Sequence, residues 1–250
     1  MKLKNWEKLP DELKTVEVRV YYDLLEKKKA SLFFKRLFDI VVSTIMLILL
    51  SPFFLILAIA IKLDSKGPVF YRQERITQYG ETFRIFKFRS MVQNADKGSL
   101  VTVGNDSRIT RTGKFIRKFR IDEISQLIDI LRGKMTFVGT RPEVRKYVEA
   151  YTPEMKATLL LPAGVTSLAS VLYKDEAELL DGAEDTDKAY IEDVLPGKMY
   201  YNLKALENFS FWEDIRIMFM TFFAMLGKEY EGDYKVSDKE KNTEKEEIEV

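Results

Sequence analysis

The feature that most limits what this chain can fold into is residues 40–61, IVVSTIMLILLSPFFLILAIAI, an uncharged apolar run. As a helix rising about 1.5 Å per residue, it is long enough to cross a hydrocarbon core of about 30 Å. Ser51 and Pro52 stand in its middle, where proline removes a backbone donor and bends a helix. Lys35 and Arg36 precede the run, and Lys62, Lys66, Arg72 and Arg75 follow it. Positive charge favours the cytoplasmic side. Charge at both ends therefore favours a helix broken at Pro52 and returning to the face it entered, with a kinked span as the competing reading. Ser51 can hydrogen-bond a carbonyl that such a bend frees.

A second stretch, residues 117–143, RKFRIDEISQLIDILRGKMTFVGTRPE, carries the chemistry-bearing groups. Ile121, Ile124, Leu127, Ile128 and Leu131 recur at helical spacing, which predicts a short amphipathic helix stopped by Gly133. Asp122 and Glu123 open it, where unpaired amides and the helix dipole keep carboxylates ionised and attract phosphate. Arg117 precedes the pair. Arg141 follows a Val138-Gly139 turn in front of Pro142, a bend that can swing its guanidinium back toward the helix start. Two acids between arginines suit phosphoryl chemistry, although an Asp-Glu pair at a helix start is also an ordinary cap.

Composition narrows the options. The 250 residues allow one sizeable domain with accessory segments, and Lys plus Arg number 40 against 39 Asp plus Glu, so no global basic field points to nucleic acid. There is no His and no Cys. That removes Ser-His-Asp and Cys-His catalysis, His or Cys metal ligation and disulfides. A bound metal would be hard and oxygen-ligated, with Mg2+ favoured.

The rest of the chain reads as follows. Residues 1–29 are charged throughout, which is not the pattern of a cleavable signal peptide. They carry Leu13, Val16, Val20, Tyr21, Leu24 and Leu25 at helical spacing after Pro10-Asp11, predicting an amphipathic accessory helix. Lys27, Lys28, Lys29, Lys35 and Arg36 form a basic cluster suited to anionic headgroups, or a solvated face. Residues 69–73 and 82–88, rich in β-branched and aromatic side chains, predict a hairpin studded with Arg72, Arg75, Arg84, Lys87 and Arg89. Residues 93–111, with Gly98, Gly104, Asn105 and Asp106, read as a polar loop, and 175–187 as an acidic loop. Residues 143–161 predict a helix, PAGVTSLAS a loop, and 190–208 a helix interrupted at Pro196-Gly197. Residues 209–226 are too short to span a bilayer; they suit the interface with Trp212 at headgroup depth, or an ordinary core helix. The Lys- and Glu-rich tail from Gly227 has too little apolar content to fold.

These blocks together resemble the bacterial sugar transferases, small monotopic phosphoglycosyl transferases that load a sugar phosphate onto a polyprenyl phosphate. The resemblance rests on Lys35, Arg36 and Asp39, on Ser51-Pro52, and on Gly67-Pro68-Val69, Gln73-x-Arg75 and Lys87-Phe88-Arg89-Ser90-Met91. It continues through Asp122-Glu123 with Gln126 and Leu127, and Val138-Gly139-x-Arg141-Pro142. It implies an α+β fold: a broken re-entrant membrane helix, and a small cytoplasmic catalytic domain of helices plus a β-hairpin. The implied layout is an N-terminal extension over 1–34, the membrane hairpin over 35–63, the catalytic domain over 64–226 and a disordered tail over 227–250.

Asp122 would be the nucleophile on the β-phosphate of a UDP-sugar. Glu123, with Asp122, would hold Mg2+. Arg117 and Arg141 would grip phosphate, with Pro142, Gln73, Arg75, Lys87 and Arg89 completing the substrate-binding set. The implied partners are a UDP-sugar, polyprenyl phosphate and membrane lipids, with no nucleic acid and a homodimer admitted; the implied location is the cytoplasmic face of the bacterial inner membrane. Thr77, Lys134, Thr140 and the loop 162–170 depart from the usual pattern, which leaves the sugar open. A non-catalytic scaffold for glycan assembly and a nucleotide-sugar hydrolase are the competing functions.

Overall fold

The structure, a computed structural model, describes residues 1–93, 108–173, 180 and 185–234. Gly98, Gly104, Asn105, Asp106, most of the acidic loop and the tail beyond residue 234 lie outside the described residues. The fold is α+β, with an antiparallel pair β1 (Phe70–Ile76) and β2 (Thr82–Phe88) and a parallel pair β3 (Met135–Val138) and β4 (Ala163–Thr166).

After α1 (Val16–Glu26) comes α2 (Lys29–Asp64), which organises the molecule. Leu32, Lys35, Asp39, Ser43, Leu57 and Ile61 repeat at helical spacing and form its buried stripe, while Ile48, Leu49, Leu55, Ile56 and Leu63 leave the opposite side apolar and exposed. The polar members of the stripe all have partners. Lys35 donates to the Val138 carbonyl at 2.6 Å and to Asp214 at 2.7 Å, and Asp39 accepts from the Thr136 hydroxyl at 2.9 Å and the Phe137 amide at 3.2 Å. Arg36 donates to the carbonyls of Ile130 and Leu131, the open end of α4 (Leu127–Leu131). These bonds pin the first half of α2 to β3 and α4.

The second half is pinned to the same body. Phe54 meets Phe88 edge-on with ring centroids 5.1 Å apart, Leu57 and Ile61 pack with Phe88 and Ile116, and Asp64 accepts from the Thr112 amide at 2.7 Å. That last bond satisfies an otherwise open donor at the start of α3 (Arg111–Lys118). The helix runs unbroken through Pro52, without the expected interruption. The chemistry of a prolyl bend is nonetheless present: the Ser51 hydroxyl donates at 2.8 Å to the Ile48 carbonyl, the acceptor that proline leaves without its amide.

Several expectations are corrected. Lys35 is buried and Arg36 caps α4, so of the basic cluster only Lys27, Lys28 and Lys29 face outward. In α1 the buried face is Val18, Tyr21, Tyr22 and Leu25, whereas Val16 and Val20 are exposed, because Thr15 caps the helix and sets its phase later than Pro10 would. This extension packs with Leu9 and Leu13 against Tyr79, Leu160 and Leu206.

The predicted 143–161 helix is divided into α5 (Arg145–Val148) and a 3-10 turn at Met155–Leu160, with Pro153 between them. The predicted loop 162–170 holds β4 and the start of α6 (Leu168–Leu172). Pro196 lies in the first turn of α7 (Leu195–Glu207), where its missing amide costs nothing, and the expected break does not occur. The final helix α8 (Phe211–Met225) is capped by Ser210. Residues 227–234 fold back on α7, with the Tyr234 amide donating to the Tyr201 hydroxyl at 2.8 Å, so this part of the expected disordered tail is packed on the domain.

Candidate active site

The hairpin supplies one wall. Antiparallel pairing sets Gln73 opposite Ile85, Arg75 opposite Phe83 and Tyr71 opposite Lys87, and strand alternation then brings Gln73, Arg75, Ile85 and Lys87 to one face. Arg72 and Arg84 point the other way and spend their guanidinium groups on each other's carbonyls across the strands.

The acidic pair is carried by a 3-10 turn, Ile121–Gln126, that continues into α4. Tighter winding shifts the buried face relative to an α-helix, which is why Ile130 is buried and Leu131 exposed, against the expected stripe. Gly133, at φ 76°, ends α4 as expected. Arg120 precedes the turn at φ 52°, a conformation side-chain-bearing residues seldom adopt. The turn and α4 both hold Phe86 of β2: Asp129 of α4 accepts from its amide at 2.8 Å and the Ser125 hydroxyl of the turn donates to its carbonyl at 3.0 Å. The dyad is thus held against Lys87, the next residue in the strand.

Arg141 arrives from β3. A Cβ on Gly139 would meet the Pro162 carbonyl oxygen at 2.8 Å, and one on Gly164 would meet the Gly139 amide nitrogen at 2.2 Å, so glycine at both positions lets the parallel strands close up. Beyond this crossing Arg141 pairs with Glu123, and Lys87 stands 3.6 Å from the same carboxylate oxygen. Burial works against a charge on Glu123, yet Arg141 and Lys87 outweigh it and hold the group below the usual glutamate pKa. Asp122 goes the other way. Burial raises its pKa, Lys87 only partly opposes this, and Glu123 adds to the rise. Burial lowers the pKa of Lys87, against the pull of Glu123.

Lys87, Arg141, Gln73, Arg75, Gln126 and Pro142 line an open cavity of about 260 Å3; neither dyad residue is in its lining, but Glu123 pairs with two side chains that are, Lys87 and Arg141. Arg75 donates to Gln73 at 2.7 Å and to the Pro142 carbonyl at 3.3 Å. Arg117 lies exposed on α3, and its field bears weakly on Asp122.

Arg89 stands elsewhere. Its buried guanidinium donates to the Ile61, Ser65 and Lys66 carbonyls, so it closes the C-terminal end of α2, where cations are favoured, and is not a lining group of the cavity. The cavity also has members that the sequence reading missed: Glu143, Tyr147, Tyr190 and Lys198. Only Glu143, adjoining Arg141-Pro142, had a local signal. Among the described residues, no group of three or more His, Cys, Asp or Glu side chains could hold a metal ion.

A cationic cavity with a half-buried carboxylate pair beside it, on a domain gripping a long apolar helix, has the charge to hold a phosphate-bearing ligand. The chain belongs to the bacterial sugar transferase family, whose sequence profile matches residues 30–228. It is similar to the UDP-N-acetylgalactosamine-undecaprenyl-phosphate N-acetylgalactosaminephosphotransferase of Aeromonas hydrophila, 37% identical over 198 residues, covering 78% of this chain and 44% of the relative. It is also similar to the undecaprenyl-phosphate galactose phosphotransferase of Salmonella typhimurium, 33% identical over 218 residues, covering 81% of this chain and 42% of the relative. The UDP-glucose:undecaprenyl-phosphate glucose-1-phosphate transferase of Caulobacter vibrioides is 32% identical over 196 residues, covering 77% of this chain and 69% of the relative. The chain spans less than half the length of the first two relatives.

Proposed function

We propose that this protein transfers a sugar 1-phosphate from a UDP-sugar to a polyprenyl phosphate in the membrane, releasing UMP, as the first membrane step of surface glycan assembly. The observation that carries this reading is Glu123, the neighbour of Asp122, paired with Lys87 and Arg141 of a cavity that Arg75 also lines, within the region matched by the family.

The Asp122 carboxylate attacks the β-phosphorus of the donor. The bond to the bridging oxygen breaks and UMP leaves with that electron pair, leaving the phosphosugar on Asp122 as an acyl phosphate. A phosphate oxygen of the polyprenyl acceptor then attacks the same phosphorus, and Asp122 is released as a carboxylate. Both steps bring anions together, and Arg141, Lys87 and Arg75 lower that repulsion. The raised pKa of Asp122 reflects a poorly solvated, more basic carboxylate. The lowered pKa of Glu123 keeps it ionised, the form a Mg2+ ligand needs. Asp122 and Glu123 would hold Mg2+ together with the donor's phosphates, a donor set typical of this ion, which supplies charge neutralisation at the pyrophosphate.

The membrane part of the proposal is a re-entrant anchor in the cytoplasmic leaflet. Among the described residues, α2 is the one helix long and apolar enough to cross a membrane. Lys35 and Asp39 before Pro52, and Ile61 and Asp64 after it, all bind one domain, an arrangement that favours entry and exit on one side. The exposed Trp212, Phe219, Phe222 and Met225 of α8 suit the headgroup boundary.

The test is incubation of purified protein with UDP-sugars, Mg2+ and undecaprenyl phosphate. UMP and the lipid-linked sugar diphosphate are the expected products. UMP with free sugar phosphate and no lipid product would make it a hydrolase, and no UMP from any UDP-sugar would leave only a scaffold.

A further inference from the structure

The wall of the cavity formed by Tyr147 and Tyr190 has a different chemistry from the dyad side. Tyr147 lies on Tyr190 with ring centroids 4.3 Å apart and planes 28° from parallel. Both rings are fixed at their rims. The Tyr147 hydroxyl donates to Asp187 at 2.6 Å, and the Tyr190 hydroxyl donates to Glu143 at 2.5 Å. Lys198 donates to Tyr190 at 2.6 Å and to Glu143 at 3.1 Å. Glu143 is itself buried, and its carbonyl accepts from the Ile76 amide at 2.9 Å, which fastens this wall to the end of β1. Hydroxyls engaged in this way leave ring surface as what the tyrosines offer. Tyr190 is buried behind, while Tyr147 is partly exposed.

We propose that Tyr147, backed by Tyr190, is the seat of the pyrimidine ring of the nucleotide donor. This rests on the transferase reading above and deepens it. A UDP-sugar has a flat aromatic group at one end of a dianionic diphosphate, and this cavity has a flat aromatic wall together with Arg75, Lys87 and Arg141. Every base presents a π-face, and a preformed pair of rings binds it without ordering new side chains. The sugar lies on the far side of the β-phosphate and is left to other surfaces, so the wall selects the nucleotide and is indifferent to the sugar.

The experiment measures binding of UMP and of ribose 5-phosphate, its baseless counterpart, to the full chain in detergent by calorimetry. Wild type binds UMP more tightly than ribose 5-phosphate. Tyr147→Ala and Tyr147→Leu weaken UMP by roughly tenfold, in the range of a lost base stack, and leave ribose 5-phosphate unchanged. Tyr147→Phe, which keeps the ring, retains the UMP preference. The proposal is overturned if folded Tyr147→Leu binds UMP as wild type does, or if both ligands weaken equally. Failure of the transferase reading looks different: wild type then releases no UMP from UDP-sugars, whatever its affinity for UMP.

Discussion

The guanidinium of Arg141 lies on the carboxylate of Glu123 across 18 residues of chain, and both are held there by backbone closures that neither residue makes itself. Removing either member leaves a partly buried charge without its closest counterpart. Glu123→Gln and Arg141→Ala are each expected to lower kcat/KM for UMP release by about 100-fold to 1,000-fold, the usual cost of losing one preorganised charge at a reacting phosphate. Arg141→Lys is expected to recover only part of this, because a point charge does not reproduce the planar fork.

The two carboxylates are shifted in opposite directions. Asp122 has a folded pKa raised above 3.8 and Glu123 one lowered below 4.5. The attacking carboxylate must be ionised, so protonation of Asp122 sets an acid limb of kcat/KM that lies above the ordinary aspartate range. The stability sign is opposite for the two. A raised folded pKa means that Asp122 contributes stability below its unfolded pKa, and this is lost as pH rises through the folded value. Asp122→Asn is therefore expected to be inactive and, at pH 7, more stable to heat than wild type. Glu123 contributes stability above its unfolded pKa, lost as pH falls through the folded one, so Glu123→Gln should melt lower at pH 7.

Lys35 and Asp214 form a buried pair joining α2 to α8. Lys35→Ala leaves the Asp214 carboxylate buried without its cation and is expected to cost about 3–5 kcal/mol in denaturant unfolding. Lys28→Ala, on an exposed neighbour, should stay within about 0.5 kcal/mol.

The anchor is tested by labelling, since the chain has no cysteine of its own. Cysteines introduced at Lys28 and Lys66, both exposed and flanking α2, are expected to react with a membrane-impermeant maleimide from the same side of sealed vesicles. Opposite-side labelling would eliminate the re-entrant helix. Pro52→Ala is expected to move part of the population to opposite-side labelling, because the restored amide pairs with the Ile48 carbonyl and removes the point at which the helix bends most easily.

Much of this was legible because it depends on local chemistry. The apolar run, the hairpin, the Ser51 bond to a freed carbonyl and the return of Arg141 toward the dyad all follow from spacing, proline and glycine within short stretches. Residues that join distant elements were harder to read. Lys35 and Arg36 look like headgroup ligands in sequence, yet one pairs with Asp214 at a separation of 179 residues and the other caps α4. Arg89 looks like a phosphate ligand and instead closes α2. Tyr147 and Tyr190 meet only because α5 and the π-helical turn Tyr190–Val194 pack together, and neither stretch carries a motif.

The most direct measurement is the intact mass of the protein after incubation with UDP-sugar and Mg2+ without lipid acceptor. Wild type is expected to gain the mass of one phosphosugar, mapped to Asp122 and discharged on adding undecaprenyl phosphate, while Asp122→Asn gains none. Lipid-linked product formed by Asp122→Asn at the wild-type rate, or an adduct mapped to another residue, would contradict the account.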